Sequence, residues 1–275
     1  MRVEGVPVEK SRIVEPGELI SVYVPPRHSP LEAEAPHLAV LYEDDAVVAV
    51  DKPAGIATHG APGDPRPSVV SWFVHRYPDR AEWFDAERPG IVHRLDKGTS
   101  GVLLLAKTPA AQLALNRAFE HRRARKEYLA LCSGVPLHRR AMIDAPIARH
   151  PRDRKRMAIV DRGREARTEY RLLAASAGRS LLLVRPQTGR THQIRVHLAA
   201  IGVPILEDDV YGGGAGERPY LHAYRLVVPH PLGGWLELVA PVPGDFATAA
   251  ERCGLGEALE PYRQPRPSRR TEEEP

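Results

Sequence analysis

The 275-residue sequence predicts an α+β fold, a mixed and mostly antiparallel sheet flanked by helices. Three observations lead there. Apolar runs of strand length dominate between residues 36 and 245, helical periodicity interrupts them at irregular intervals, and hydrophobic residues make up 43% of the chain, enough for one sizeable core. The regular strand–helix alternation of a doubly wound parallel sheet is absent.

Residues 1–24 read as short strands and turns, with alternation in LISVYVP after the turn EPGE. PPRHSPLEAEAP (25–36) is Pro-rich and reads as a linker. HLAVLYEDDAVVAVDKPAG implies two strands about an Asp-Asp turn, closed by the Pro-Gly punctuation of residues 53–55, and PSVVSWFVHRY implies a helix. GVLLLAKT is a continuous apolar strand. Thr108 and Pro109, an N-cap followed by a first-turn proline, predict a helix over 109–123. KEYLALCSG, RTEYRLLAA and SLLLVRP read as further strands. In TGRTHQIRVHLAAIG the period changes: Ile194, Leu198 and Ile201 recur at i, i+4 and i+7 with Gly202 at the C-cap, a helix entered through a glycine turn. Strands return from Pro219 to Pro241. The polar, Pro-rich QPRPSRRTEEEP makes residues 249–275 an expected disordered tail.

Net charge is +4 and the isoelectric point about 9.1, with cations concentrated in HRRARK (121–126) and RHPRDRKRM (149–157). Arginine forks suit phosphates and stack on bases, so nucleic acid is a natural partner, although charged runs also make ordinary solvated surface. No segment approaches 18 consecutive apolar residues and the N-terminus lacks a secretory apolar run, so the expected location is the cytoplasm, with no membrane partner. Cys132 and Cys253 lie far apart without a CxxC pair, which suggests free thiols rather than a disulfide or zinc framework.

Elimination narrows the chemistry. His192 and His197 are five apart, a spacing that does not align two metal ligands on one helix face, and HExxH is absent. GTSG does not complete the GxSxG nucleophile elbow, and GGGAG (212–216) lacks the Lys-Ser/Thr of a phosphate loop. What remains is Asp96 in GIVHRLDKGTSGVLLLAKT (90–108), between Arg94 and Lys97 at the head of a turn of small residues. Such surroundings favour a carboxylate acting as nucleophile or base; an ordinary salt-bridged turn aspartate gives the same local pattern. DKGT also loosely resembles the DKTGT loop of phosphoryl-aspartate ATPases, but the residue order differs and nothing else supplies a nucleotide site.

Four blocks in order resolve the choice: VDKPAGIATHG, GIVHRLDKGTSGVLLLAKT, ARKEYLALCSG and TGRTHQIRVHLAAIG, followed by YLHAYRL and HPLGGWLELVAPVP. Over residues 36–245 they closely resemble the RluA-type pseudouridine synthases. That resemblance implies the pseudouridine synthase fold with a central catalytic cleft. It implies an isomerase that detaches uracil from ribose at nitrogen 1 and reattaches it through carbon 5, without cofactor or metal. Residue by residue, it makes Asp96 the aspartate that begins the reaction, by attack on base or sugar or by promoting loss of a sugar proton. Arg195 matches the basic residue paired with it, and Tyr128 the aromatic that stacks on the target base. Arg94 matches the arginine that fills the gap left by the flipped uridine, and Ile194 and Leu95 wall the pocket. Lys97, Arg125, Lys126, Arg190 and His192 are expected at the RNA, while His93 and Lys52 read as structural. Large-subunit ribosomal RNA is the favoured partner because APIARHPRDRKRMAIVDRGREARTEY resembles the matching stretch of the ribosomal enzymes; transfer RNA is the alternative, and a monomer is expected. One departure stands out: LEDDVYG carries Glu207 where the family usually has Gly, with Asp208, Tyr211 and Gly212 kept. Residues 1–30 resemble part of an alpha-L (S4-like) RNA-binding module with its linker, leaving 31–248 as the catalytic domain.

Overall fold

The computed structural model describes residues 2–9, 12–21, 34–60, 66–85, 88–154, 156–264 and 266–275. At the N-terminus β1 (Arg2–Val3), β2 (Val6–Pro7) and β3 (Ile20–Ser21) form a three-stranded sheet in the order β2-β1-β3, with no other strand pairing among the described residues. Residues 22–33, which hold most of the expected linker, lie outside the described residues.

The main sheet begins with β4 (Ala39–Glu43) and β5 (Val47–Lys52), joined where Asp44 Oδ1 accepts from the amides of Ala46 and Val47, the Asp-Asp turn the sequence implies. α1 (Val69–Arg76) starts at a reciprocal Ser68–Ser71 capping box and runs into the short α2 (Pro78–Ala81). β6 (Ser100–Ala106) is wholly buried. α3 (Pro109–Glu120) is capped by Thr108 as predicted but stops three residues early, because Arg122 adopts a left-handed φ of 59° that turns the chain into β7 (Arg125–Ser133). β8 (Arg140–Asp144) precedes a hairpin of β9 (Ile147–Arg149) and β10 (Met157–Ile159), which carries the second basic run. Then come β11 (Arg167–Ser176), β12 (Arg179–Pro186), α4 (Gln193–Ala200), β13 (Leu221–Pro229) and β14 (Trp235–Val239).

Residues 249–275 correct the expectation of a disordered tail. α5 (Gly244–Arg252) and α6 (Gly256–Arg263) bury Phe246, Ala249, Ala250 and Leu259 against Leu129, Leu131, Leu181 and Leu183, and β15 (Arg269–Thr271) pairs with β14. A few well-spaced apolar residues and main-chain pairing order a segment whose average composition is polar.

The strand order β4-β5-β6-β13-β7-β12-β11-β8 is antiparallel at every pairing except β6 with β13. β13, made late, lies between β6 and β7. Its first residues meet β6 and its later ones β14. Gly101 sits at that junction with φ 112°, where a Cβ would stand 2.2 Å from the Ala223 carbonyl oxygen, so only glycine allows the approach.

The central strands β5, β6, β12 and β13 are covered on both faces, which is why they read as nearly unbroken apolar runs, while β4, β8 and β11 are more open. On one face Val102 and Leu104 pack with α3 residues Ala111 and Leu115. On the other, Leu103 and Leu105 meet Trp72 and Phe73 of α1, while Ala130, Leu182 and Val184 meet Ile194 and Leu198 of α4. Tyr128 packs with both of these clusters. Ile201, predicted on the buried stripe of α4, is instead the C-cap residue and exposed, with Gly202 following at φ 78°.

Candidate active site

A cleft of about 500 Å³ opens beside Tyr128, between the turn that precedes β6 and the segment that leads into α4. Asp96 lies on that turn, closed by the Thr99 amide donating to the Asp96 carbonyl (3.0 Å). The KPAG segment braces it from behind. Lys52 is fully buried and donates to the carbonyls of Pro53 (3.0 Å), Ile56 (2.8 Å) and Lys97 (3.3 Å), and the Gly55 amide also reaches Lys97 O. Burial pushes the Lys52 ammonium down to about 7, with the Asp96 charge opposing the shift. Leu95 is locked by Thr58, whose hydroxyl donates to its carbonyl and accepts from its amide. The aspartate therefore projects from a turn with little freedom.

Arg195 faces it from α4. Its guanidinium makes a fork with Asp208 (Nε to Oδ2 2.7 Å, Nη2 to Oδ1 2.8 Å) and places Nη1 3.5 Å from Asp96 Oδ2. Asp208 is fully buried. Burial works against the arginine's charge, but the Asp208 bonds and charge outweigh it and raise its pKa. His192, at φ 55° ahead of α4, has Nε2 3.9 Å from Asp96 Oδ2 and Nδ1 2.9 Å from the Tyr211 hydroxyl. Burial lowers its pKa, with Asp96 pulling the other way. The Tyr128 hydroxyl is pushed up by burial and by the Asp96 charge.

The structure thus gathers Asp96, Arg195, Tyr128, Arg94, Leu95, Lys126, Arg190, His192 and Ile194 on one cleft. Lys126 Nζ donates to Thr188 O (3.1 Å), and burial, with Arg190 nearby, pushes it down to about 8. Two residues expected at the RNA do not line the cleft. Lys97 is exposed and only its carbonyl serves the turn. Arg125 is one residue out of phase with Lys126 and Tyr128, so strand alternation turns it to the opposite face, where it pairs with Glu274 (3.1 Å). His93 accepts the Leu104 amide (2.9 Å) and stacks on Phe119 at the edge of the same cleft. His197 binds Thr168 Oγ1 and Ala145 O. Among the described residues no group of three His, Cys, Asp or Glu could hold a metal ion.

Sequence reasoning kept Asp208 and Tyr211 as motif letters without seeing their work, the anchoring of Arg195 and His192. Gln193 was missed outright. Its Oε1 accepts from Thr188 Oγ1 and the Arg190 amide while its Nε2 donates to Arg167 O and Thr168 Oγ1, fastening the glycine turn to α4. Glu207 keeps a glycine-like backbone, φ 61°, so the substitution leaves the turn in place.

The sequence model of the RNA pseudouridylate synthase family matches residues 46–200. The chain belongs to this family. It is 47% identical over 249 residues to an RNA pseudouridine synthase of Chloroflexus aurantiacus, covering 88% of this chain and 78% of that protein. It is 38% identical over 263 residues to the ribosomal large subunit pseudouridine synthase D of Haemophilus influenzae, covering 89% and 79%. Among solved structures, human RNA pseudouridylate synthase domain containing 1 superposes with a TM-score of 0.64 at 27% identity over 87% of this chain and 98% of that one. As a pseudouridine synthase the chain is an isomerase acting on RNA, and its fold is that of its structural neighbours.

Proposed function

We propose that this enzyme converts specific uridines of large-subunit ribosomal RNA to pseudouridine, with Asp96 as the essential residue. The observation that carries the reading is the pairing of Asp96, on a braced turn, with an arginine whose own charge is anchored by buried Asp208. A positive charge held 3.5 Å from the carboxylate orients it without neutralising it by full contact. Tyr128 offers a ring beside it for the flipped base, walled by Ile194 and Leu95. Arg94, exposed at the cleft, stacks where the uridine has left the helix. In the balance of the reaction the bond from nitrogen 1 to the sugar breaks, a bond from carbon 5 forms, the carbon 5 proton leaves and nitrogen 1 gains one. The choice of ribosomal RNA rests on the relatives of that name in Haemophilus influenzae and, at 41% identity, Nitrosomonas europaea. The enzyme works as a cytoplasmic monomer on its RNA, without cofactor, and residues 1–30 act as part of an RNA-binding module beside the catalytic domain.

Carbodiimide-adduct mapping of RNA treated with the protein tests the reading. Asp96→Asn should bind RNA about as well as wild type and form no pseudouridine; substantial turnover by the variant refutes the assignment. Mapping the sites lost from a deletion strain identifies the target, and losses confined to transfer RNA would overturn the ribosomal choice. A protein that binds RNA with no turnover in the wild type would be an assembly factor instead.

A further inference from the structure

Tyr211 stands where the basic hairpin and the catalytic pair meet. It is buried, and its ring packs with Ile147, Ala166 and Val196, the apolar seat by which β9 and β10 rest on α4, with Met157 against it. Its hydroxyl accepts the Met157 amide of β10 (2.9 Å) and meets His192 Nδ1 (2.9 Å). The Arg195 guanidinium lies over the same ring at 5.0 Å and that of Arg156, the residue leading into β10, at 5.3 Å. Its amide approaches Asp208 Oδ1 (3.3 Å), the anchor of Arg195. One side chain therefore touches the hairpin and both groups, His192 and Arg195, that face Asp96, while its own amide meets the carboxylate that holds Arg195.

We propose that Tyr211 is a positioning residue that couples the β9–β10 hairpin to the Asp96–Arg195 pair, so that RNA held on the hairpin sets the geometry of the catalytic centre. This rests on the reading of Asp96 and Arg195 given above. The hairpin carries Arg149, Arg152 and Arg154 exposed to solvent, suited to phosphates. A shift of β10 under an RNA backbone moves the Met157 amide and Arg156, and neither can move without disturbing the Tyr211 hydroxyl and ring. That disturbance reaches His192 through its hydrogen bond and Arg195 through the stacked ring. The hairpin then contributes to the rate of the bound complex as well as to affinity, a coupling that resides in one hydroxyl and one ring face.

A double-mutant cycle tests it, reading the single-turnover rate at saturating enzyme and, separately, the RNA dissociation constant. Tyr211→Phe keeps the ring and deletes the hydroxyl. It should lower the saturated rate about fivefold, the scale of the lost His192 hydrogen bond, with affinity near that of wild type and a melting temperature lower by a few degrees, because the Met157 amide also loses its acceptor. The triple Arg149→Gln/Arg152→Gln/Arg154→Gln variant should weaken binding in both backgrounds, yet lower the saturated rate about fivefold only when Tyr211 is intact and less than about twofold beside Tyr211→Phe. Losses that multiply, or a folded Tyr211→Phe enzyme with the wild-type rate, overturn the proposal. Should Tyr211→Phe melt early, Arg156→Gln, which strips the guanidinium from the ring and leaves the hydroxyl, takes its place in the same cycle with the same two outcomes. A wild-type chain that made no pseudouridine would instead overturn the functional reading, and this proposal with it.

Discussion

Replacing Asp208 by Ala removes the anchor of Arg195. In the native protein two carboxylates share that guanidinium unequally: Asp208 takes both arms at 2.7 and 2.8 Å and is fully buried, whereas Asp96 stands 3.5 Å off and is partly open to the cleft. Deleting the closer partner leaves a buried cation with incomplete compensation, at a cost of about 3–5 kcal/mol. In a domain of this size that lowers the melting temperature by on the order of 10 °C. Asp208→Asn keeps an oxygen for the arginine and for the amides of Val210 and Tyr211, and should cost about 1–3 kcal/mol, the range for one compromised buried hydrogen bond. In both variants the freed arm of Arg195 turns to Asp96 as the remaining carboxylate, so isomerisation falls further than stability explains. Thermal melts and carbodiimide mapping at a temperature where every variant is folded separate the two effects. Arg195→Met combined with Asp208→Ala should recover much of the lost stability, because no charge is then left buried alone, and none of the activity. An Asp208→Ala protein melting within 2 °C or so of wild type would refute the reasoning, since Asp96 alone would then be compensating the arginine.

Acid should destabilise the region around β4 through Glu43. Burial opposes its charge, but hydrogen bonds from Lys107, Tyr77 and Arg76 prevail and hold its carboxyl at about 2 against an ordinary 4.5. With the folded value depressed, the contribution is complete above pH 4.5 and is lost as pH falls toward 2; urea melts across that window should show a shallower acid limb in Glu43→Gln. Arg152→Gln with Arg154→Gln should flatten the salt dependence of RNA binding by roughly 0.7 in slope for each phosphate left without its cation, whereas Arg125→Gln, already paired with Glu274, should not change it; titrations at several salt concentrations distinguish them. Deleting residues 1–30 should leave catalysis on a short RNA largely intact and reduce affinity modestly, because among the described residues β1–β3 pair with one another and with no strand of the main sheet. Loss of folding in that truncation would make the segment part of the catalytic core.

The parts of the fold legible in the sequence were those that local chemistry dictates. Thr108-Pro109 announced α3, Gly202 ended α4, and the uninterrupted GVLLLAKT run required a strand covered on both faces. Average composition misled at the C-terminus, where Leu255 and Leu259 bury deeply and β15 is held by main-chain pairing and the Arg269–Glu237 bridge, neither visible as hydrophobicity. At the site, motif order located Asp96, Tyr128 and Arg195, but not which way Arg125 would face, because that depends on strand phase. Nor could spacing reveal that Asp208 and Tyr211 reach back to α4, since a loop brings them there and no periodicity records it.

The place of β13 in the sheet has a consequence for how the enzyme comes into being. Asp96 precedes β6, Tyr128 lies on β7, and among the described strands β6 and β7 are bridged through β13, which follows Arg195 by the rest of α4 and a long loop. A nascent chain that has emerged only to Tyr220 already carries the aspartate, the tyrosine and the arginine, yet the strand that sets the first two side by side has not been made. Its insertion closes long-range pairings on both sides, a slow class of folding event. Catalytic competence therefore waits at least for β13, and a chain interrupted before Leu221 should hold every proposed catalytic residue without the strand that sets Asp96 and Tyr128 side by side.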